Sequence, residues 1–142
     1  MQVRNLMNPN VVSITPGESA ALAARLLCQH NVGSLPVCEE DGRLRGILTD
    51  RDIVLRCVAA EEDPAQTPVR EVMTRSPSTV SPDDDIREAA RIMAADQIRR
   101  LPVVDHGHLV GIVALGDLAR THQFDMEASK ALSEISDNVK RP

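Results

Sequence analysis

The sequence predicts an α/β (α+β) fold made of two copies of a β-α-β-β-α unit, packed together through a pseudo-twofold and followed by a C-terminal helix. Three observations carry this prediction. The first is an internal repeat: Val3-Arg4-Asn5-Leu6-Met7 returns as Val69-Arg70-Glu71-Val72-Met73, Pro16 as Pro82, Ala23-Ala24-Arg25 as Ala89-Ala90-Arg91 and Leu35-Pro36-Val37 as Leu101-Pro102-Val103, all 66 positions later. The second is that one deletion in a turn lowers the spacing to 65, after which Gly42, Leu44, Gly46-Ile47 and Asp52 return as Gly107, Leu109, Gly111-Ile112 and Asp117. The third is the same alternation of strand-like and helix-like patterns in both copies. The expected boundaries are a first unit at 1–62, a linker at 63–68, a second unit at 69–122, and a C-terminal amphipathic helix and tail at 123–142.

Each unit opens with a short strand-like piece, "VVSI" or "STVS", closed by Pro16 or Pro82. A helix follows. In the second unit Asp83-Asp84-Asp85 places acids at its start, and Ile86, Ala89, Ala90 and Met93 share one face. In the first unit "SAALAARLLCQH" puts Ala20, Ala23, Ala24 and Leu27 at the same positions, with Leu22 and Leu26 widening the stripe. "LPVCEEDGRLRGIL" and "LPVVDHGHLVGIV" then read as strand, glycine-containing turn and strand. A second helix, "DRDIVLRCVA" or "LGDLARTH", completes each unit. Neither small sheet has enough elements to cover both of its faces, so packing one unit on the other is the economical arrangement. The linker is read from the acids and prolines of "EEDPAQTP", residues 61–68. Beyond the second unit, Phe124, Ala128, Leu132, Ile135 and Val139 fall at helical spacing and predict the C-terminal helix.

Composition narrows the function. The 142 residues include 21 acids and 16 bases, a formal charge of -5, which argues against a general phosphate-backbone binder. Phe124 is the single aromatic residue, so stacking on single-stranded nucleic acid is argued against as well. No stretch has the ~18 apolar residues of a membrane span, and "MQVRNLMNPN" has no apolar signal core, so the expectation is a soluble cytoplasmic chain with no membrane partner. Cys28, Cys38 and Cys57 fit neither a disulfide framework nor a metal clip and read as buried, reduced thiols. His106 and His108 read as solvated turn residues without a third ligand, and Asp83-Asp84-Asp85 lacks the alternating spacing of a calcium loop. No metal site is expected.

The repeated order, the "LPV" before each hairpin, the "GILTDRD" and "GIVALGD" after it and the "VRxxM" opening each unit resemble the CBS-domain pair, the cystathionine β-synthase type regulatory module. The resemblance covers residues 3 to about 121. It implies a cleft between the two units that holds an adenosyl compound such as AMP, ADP, ATP or S-adenosylmethionine, and assembly of two pairs into a homodimer. It also implies that the base is held by Ser13, Ile14, Val32, Gly33, Ser34 and Pro36 in the first unit and by Thr79, Val80, Ile98, Arg99, Arg100 and Pro102 in the second.

The residues themselves point the same way at one place. Thr49 and Asp52 are spaced as the first and fourth members of a capping box at a helix start. In the second unit Ala114 replaces the cap hydroxyl, yet Asp117 remains, and a carboxylate kept without its partner suggests another task. A ribose presents two neighbouring hydroxyl donors, and one carboxylate accepts both. By resemblance Asp52 and Asp117 hold ribose and Thr49 assists, so the Asp117 side is expected to be the weaker. Arg99, Arg100 and Arg51 are candidate phosphate contacts.

No nucleophile elbow, glycine-rich phosphate loop or zinc pattern is found, so a non-enzymatic regulatory module is expected, with no required cofactor and with any client protein on a separate chain. The alternatives are a dimerisation protein with vestigial clefts and, further off, a small enzyme.

Overall fold

The computed structural model describes residues 1–121 and 130–135. The chain forms two compact units, Val12–Pro77 and Met1–Val11 with Ser78 onward, called here the Asp52 unit and the Asp117 unit. These are not the two contiguous repeats. Each repeat's opening segment, "VRxxM", belongs to the unit built around the other repeat's hairpin.

In the Asp52 unit, Ser19 caps helix α1 (Ala20–His30) by accepting from Leu22 N–H. Helix α1 ends at Asn31, which takes the left-handed conformation that breaks the hydrogen-bond pattern. Strands β1 (Ser34–Cys38) and β2 (Leu44–Thr49) form the expected hairpin, and β3 (Thr74–Arg75) adds to the far edge of β2. Helix α2 (Asp50–Ile53) starts directly from β2 and runs into a π-helical turn, Val54–Val58. The core combines Ile14, Ala20, Ala23, Leu27, Leu35, Val37 and Leu48 with Val69, Val72 and Met73 from the opening of the second repeat.

The Asp117 unit repeats this plan. Helix α3 (Ile86–Asp96) is capped by Asp85, which accepts from Arg87 N–H. Asp84 accepts from Ser81 N–H and Asp83 pairs with Arg4, so the acidic triplet serves helix start and chain anchoring. Hairpin β4 (Arg100–Asp105) and β5 (His108–Ala114) turns through His106 and Gly107, both at positive φ, the pair of left-handed residues that a two-residue hairpin turn requires. Helix α4 (Leu115–Ala119) follows. Val3, Val80, Ile86, Met93, Leu101, Val103 and Leu118 form its core.

The exchange has a steric cause at two glycines. A Cβ on Gly46 would lie 2.6 Å from the Thr74 carbonyl oxygen and 2.9 Å from Met73 Sδ. A Cβ on Gly111 would lie 2.9 Å from Met7 Sδ and 3.0 Å from the Asn8 carbonyl oxygen. The repeated methionine of each opening segment thus lies across the repeated glycine of a hairpin, and the backbone follows it: Asn8 and Ile112 exchange two hydrogen bonds at 2.8 and 3.0 Å.

Three expectations are corrected. "VVSI" and "STVS" do not form strands but single parallel bridges, Ile14 to Val37 and Val80 to Val103; the prolines two residues on leave no room to extend the pairing. Cys28 is exposed on α1, whereas Cys38 and Cys57 are buried, all three being free thiols. Residues 130–135 are helical, with Ile135 buried in the core of the Asp117 unit as expected, but Leu132 is 46 % exposed and Ala131 is buried instead of it. Phe124, Ala128 and Val139 lie outside the described residues.

Candidate functional site

The candidate residues gather at the strand-to-helix corner of each unit. In the Asp52 unit Ser34 pairs with Thr49 across the hairpin, and Asp50 N–H donates to the Gly33 carbonyl at 3.2 Å, tying the start of β1 to the start of α2. In the Asp117 unit Arg100 pairs with Ala114, and Leu115 N–H donates to the Arg99 carbonyl at 2.8 Å. Gly33 and Ser34 therefore occupy the places of Arg99 and Arg100. Both arginines are exposed, and neither side chain makes an ion pair among the described residues. Two arginines open the hairpin at one corner where the other has a glycine and a serine.

The remaining candidates sit behind these corners. Ile14 N–H donates to the Pro36 carbonyl at 3.0 Å and Val80 N–H to the Pro102 carbonyl at 3.1 Å. Ile14, Val80, Pro36 and Pro102 are buried, and Val32 and Ile98 pack against the cores from partly exposed positions. Ser13 and Thr79, each one residue ahead of a bridge, are exposed.

At the helix start the capping box is complete in the Asp52 unit. Asp52 N–H donates to Thr49 Oγ1 and Thr49 N–H donates to Asp52 Oδ2, both at 3.0 Å. In the Asp117 unit half of the box survives: Ala114 N–H donates to Asp117 Oδ2 at 3.3 Å. Asp117 therefore retains a capping task, and its persistence beside Ala114 is not by itself a sign of another role.

The two carboxylates differ in surroundings. Asp52 has an 11 % exposed side chain and Asp117 a 23 % exposed one. Thr74 Oγ1 lies 3.4 Å from both carboxylate oxygens of Asp52, and Arg56 Nη1 lies 3.6 Å from Oδ1. Asp117 instead pairs with exposed Arg120, three residues along. Arg51 is exposed beside Asp52 and its N–H donates to Asp50 Oδ1. Sequence reasoning missed Thr74 and Arg56. The corresponding places in the other repeat hold Asn8 and Thr121, so internal comparison carries no signal for them.

Ser13 has a second contact of consequence. Burial pushes the Cys38 thiol up from its ordinary 9.0 to about 11, against a smaller lowering by its hydrogen bond with Ser13. Because the folded value lies above the unfolded one, this group favours folding below pH 9, and that contribution disappears as pH rises towards 11. Urea denaturation from pH 8.5 to 11 is expected to show the wild type losing stability faster than Cys38→Ala; parallel profiles would exclude a buried, protonated thiol.

Among the described residues no group of three or more metal-ligating side chains occurs, and no helix is long and apolar enough to cross a membrane. A recess of about 310 Å³ between α3 and residues 130–134 is lined by none of the candidates.

The arrangement has known counterparts. The CBS domain profile matches residues 3–58 and again 69–122. The CBS domain-containing protein YhcV of Bacillus subtilis is 47% identical over 134 residues, 94% of each chain. Hypoxic response protein 1 of Mycobacterium tuberculosis is 39% identical over 117 residues, 82% of each chain. The crystal structure of Hypoxic Response Protein I with two coordinated zinc ions has a TM-score of 0.79 at 37% identity, covering 85% of this chain and 98% of that one. The structure of CBSX2 in complex with AMP has a TM-score of 0.75 at 30% identity, covering 86% of this chain and 96% of that one. With two profile matches, a relative aligned along nearly its whole length and the same fold in solved structures, the chain belongs to the CBS-domain family and carries two CBS domains in tandem.

Proposed function

We propose that this protein is a regulatory binding module for an adenine nucleotide, with the ribose hydroxyls held by Asp52. The observation that carries this reading is the state of the Asp52 carboxylate. An ionised carboxylate offers about four acceptor positions. Asp52 receives one well-formed bond, from Thr49 N–H at 3.0 Å, and a long one from a single Thr74 proton shared between two oxygens. Acceptor capacity is left at a helix start beside a threonine hydroxyl, which suits a ligand with two adjacent hydroxyl donors. The AMP complex of CBSX2 supports the ligand class.

Around the ribose, Gly33, Ser34, Thr49 and Ser13 contribute polar groups, and Val32, Ile14 and Pro36 an apolar wall for the base. The Asp117 corner, with Ala114 in place of the threonine and Arg120 on its carboxylate, is the weaker ribose site. Arg99 and Arg100 there favour a ligand with more phosphate charge. Binding signals through the relative populations of conformations, and it does so only as far as the ligand prefers one of them. A homodimer and a separate client protein are the readouts this reading invokes, and no catalysis is assigned.

A thermal-shift panel with AMP, ADP, ATP, NADH and S-adenosylmethionine tests it. Ligand at 100 times its Kd adds ~2.7 kcal/mol, a rise of roughly 5–10 °C for a chain of this size. Asp52→Asn keeps an acceptor for the cap and is expected to remove most of the AMP response, while Asp117→Asn removes less. No shift with any nucleotide would overturn the reading, and turnover of a nucleotide during incubation would point to an enzyme instead.

A further inference from the structure

We propose that Thr74 and Arg56 are positioning residues for Asp52, setting the carboxylate so that it discriminates between a ribose and a deoxyribose. The inference rests on the ribose reading above and adds to it residues that lie outside the repeated motifs.

Four contacts of Arg56 Nη1 define the arrangement. Arg56 Nη1 donates to the carbonyls of Val72 at 3.1 Å and Met73 at 3.0 Å, which fixes the guanidinium against the backbone of the exchanged segment. The same nitrogen lies 3.4 Å from Thr74 Oγ1 and 3.6 Å from Asp52 Oδ1. Held by the carbonyls, it stands near the carboxylate without closing the two-point fork that arginine forms with a free carboxylate, which would consume both oxygens. Its charge offsets the burial of Asp52 while the oxygens keep capacity for further donors.

Thr74 completes the device. Its hydroxyl stands beside the Arg56 guanidinium, whose two Nη1 protons go to the carbonyls, and donates its one proton towards Asp52, with Oγ1 3.4 Å from both carboxylate oxygens. The contact is long, so it orients the carboxylate while leaving both oxygens room for a better donor. A vicinal diol supplies two such donors, one for each oxygen. A 2′-deoxyribose supplies one, and a carboxylate held in its orientation by Thr74 and Arg56 does not turn to recover the missing bond, so an acceptor is left short of partners, which is costly; a carboxylate free to turn loses less.

The other unit supplies an internal control. At the place of Thr74 stands Asn8, whose Oδ1 accepts from Asn10 N–H, and at the place of Arg56 stands Thr121, whose hydroxyl donates to the Asp117 main-chain carbonyl. Neither provides what Thr74 and Arg56 provide to Asp52. The device belongs to one of the two carboxylates.

The test compares the Kd values of AMP and 2′-deoxy-AMP by calorimetry on the full chain, for wild type, Asp52→Asn, Thr74→Val, Thr74→Ser and Arg56→Gln. Wild type is expected to prefer AMP by roughly three- to tenfold, the range of one hydrogen bond. Thr74→Val and Arg56→Gln are expected to bring the ratio to within about twofold, and Thr74→Ser to restore it, since a serine keeps the proton. A purely structural role would lower the melting temperature and leave the ratio unchanged. Loss of the ratio in Asp52→Asn with its retention in Thr74→Val would overturn the positioning role and leave the ribose reading standing. Failure of wild type to bind AMP, or binding without preference over 2′-deoxy-AMP, would overturn the ribose reading itself.

Discussion

A fragment covering residues 12–77 is expected to unfold cooperatively in urea, whereas one of the same length covering residues 1–66 is expected to lose helix content gradually, without a transition. Both fragments contain the whole of α1, β1, β2 and α2, so local propensity does not separate them. They differ in which opening segment they carry. Residues 69–73 bring Val69 and Val72, at 0% and 1% exposure, and Met73, at 7%, into the core with Leu35 and Leu48. They also bring Val69 N–H to the Glu18 carbonyl at 2.7 Å and Arg70 N–H to the Pro16 carbonyl at 3.0 Å, and β3 to the edge of β2. The N-terminal fragment carries Val3 instead, whose partners Val80, Ile86 and Leu101 it lacks. Burying a side chain of this size is worth about 1.5–3 kcal/mol, so three of them approach the roughly 5–15 kcal/mol that holds a whole domain folded. Far-ultraviolet circular dichroism through the urea titration reads the difference. Equal midpoints for the two fragments would mean that the exchanged segments are dispensable.

The exchange is also where sequence reading stopped short, and the reason is physical. A repeat at a spacing of 66 shows that two segments have the same environment, not which copy of that environment each one enters. The contiguous assignment, 1–62 and 69–122, is the natural reading of such a spacing. The available clue lay in pairing a repeated large residue with a repeated small one, Met7 and Met73 with Gly111 and Gly46, because a glycine inside a strand often marks a close backbone approach. What could be read locally was read well: the capping pair Thr49 and Asp52, the face formed by Ile86, Ala89, Ala90 and Met93, and the hairpin turns are each decided within a few residues. The π-helical turn at Val54–Val58 was not legible, since periodicity continued a regular helix through "IVLRCVA"; the wider turn leaves Val54, Leu55 and Val58 about half exposed. Thr74 and Arg56 were invisible for a different reason. Thr74 meets Asp52 across the exchange, 22 residues away, whereas Arg56 is only four residues on and is drawn to the exchanged carbonyls of Val72 and Met73; neither recurs in the second repeat.

Gly46→Ala is expected to cost about 2–4 kcal/mol, the upper range for forcing an extra methyl group into a packed site, and Gly111→Ala about 1–2 kcal/mol. The two substitutions are chemically identical and fall on matching positions, so the difference comes from what stands opposite. At Gly46 the nearest atom is a backbone oxygen, Thr74 O, at 2.6 Å, and it belongs to a strand paired with β2 at Gly46 and Ile47. An added methyl group can be accommodated only by moving β3 outward, which loosens that pairing and lifts Met73 from the core. At Gly111 the nearest atom is Met7 Sδ at 2.9 Å, the end of a flexible side chain, with the Asn8 carbonyl at 3.0 Å. Rotating Met7 relieves the first of these contacts without disturbing the backbone. The same reasoning fixes the double variants. Met7→Ala is expected to recover part of the loss in Gly111→Ala, because it removes the closer atom. Met73→Ala is expected to recover nothing in Gly46→Ala, because the obstructing carbonyl stays and a buried side chain is lost in addition. Urea midpoints of the two glycine variants, the two methionine variants and the two double variants measure these couplings as departures from additivity. The Thr74 carbonyl that blocks a side chain at Gly46 is attached to the residue whose hydroxyl lies against Asp52. Gly46→Ala is therefore also expected to weaken AMP binding, and a variant destabilised by several kcal/mol with unchanged AMP affinity at 15 °C would separate the packing of β3 from the function of the Asp52 corner.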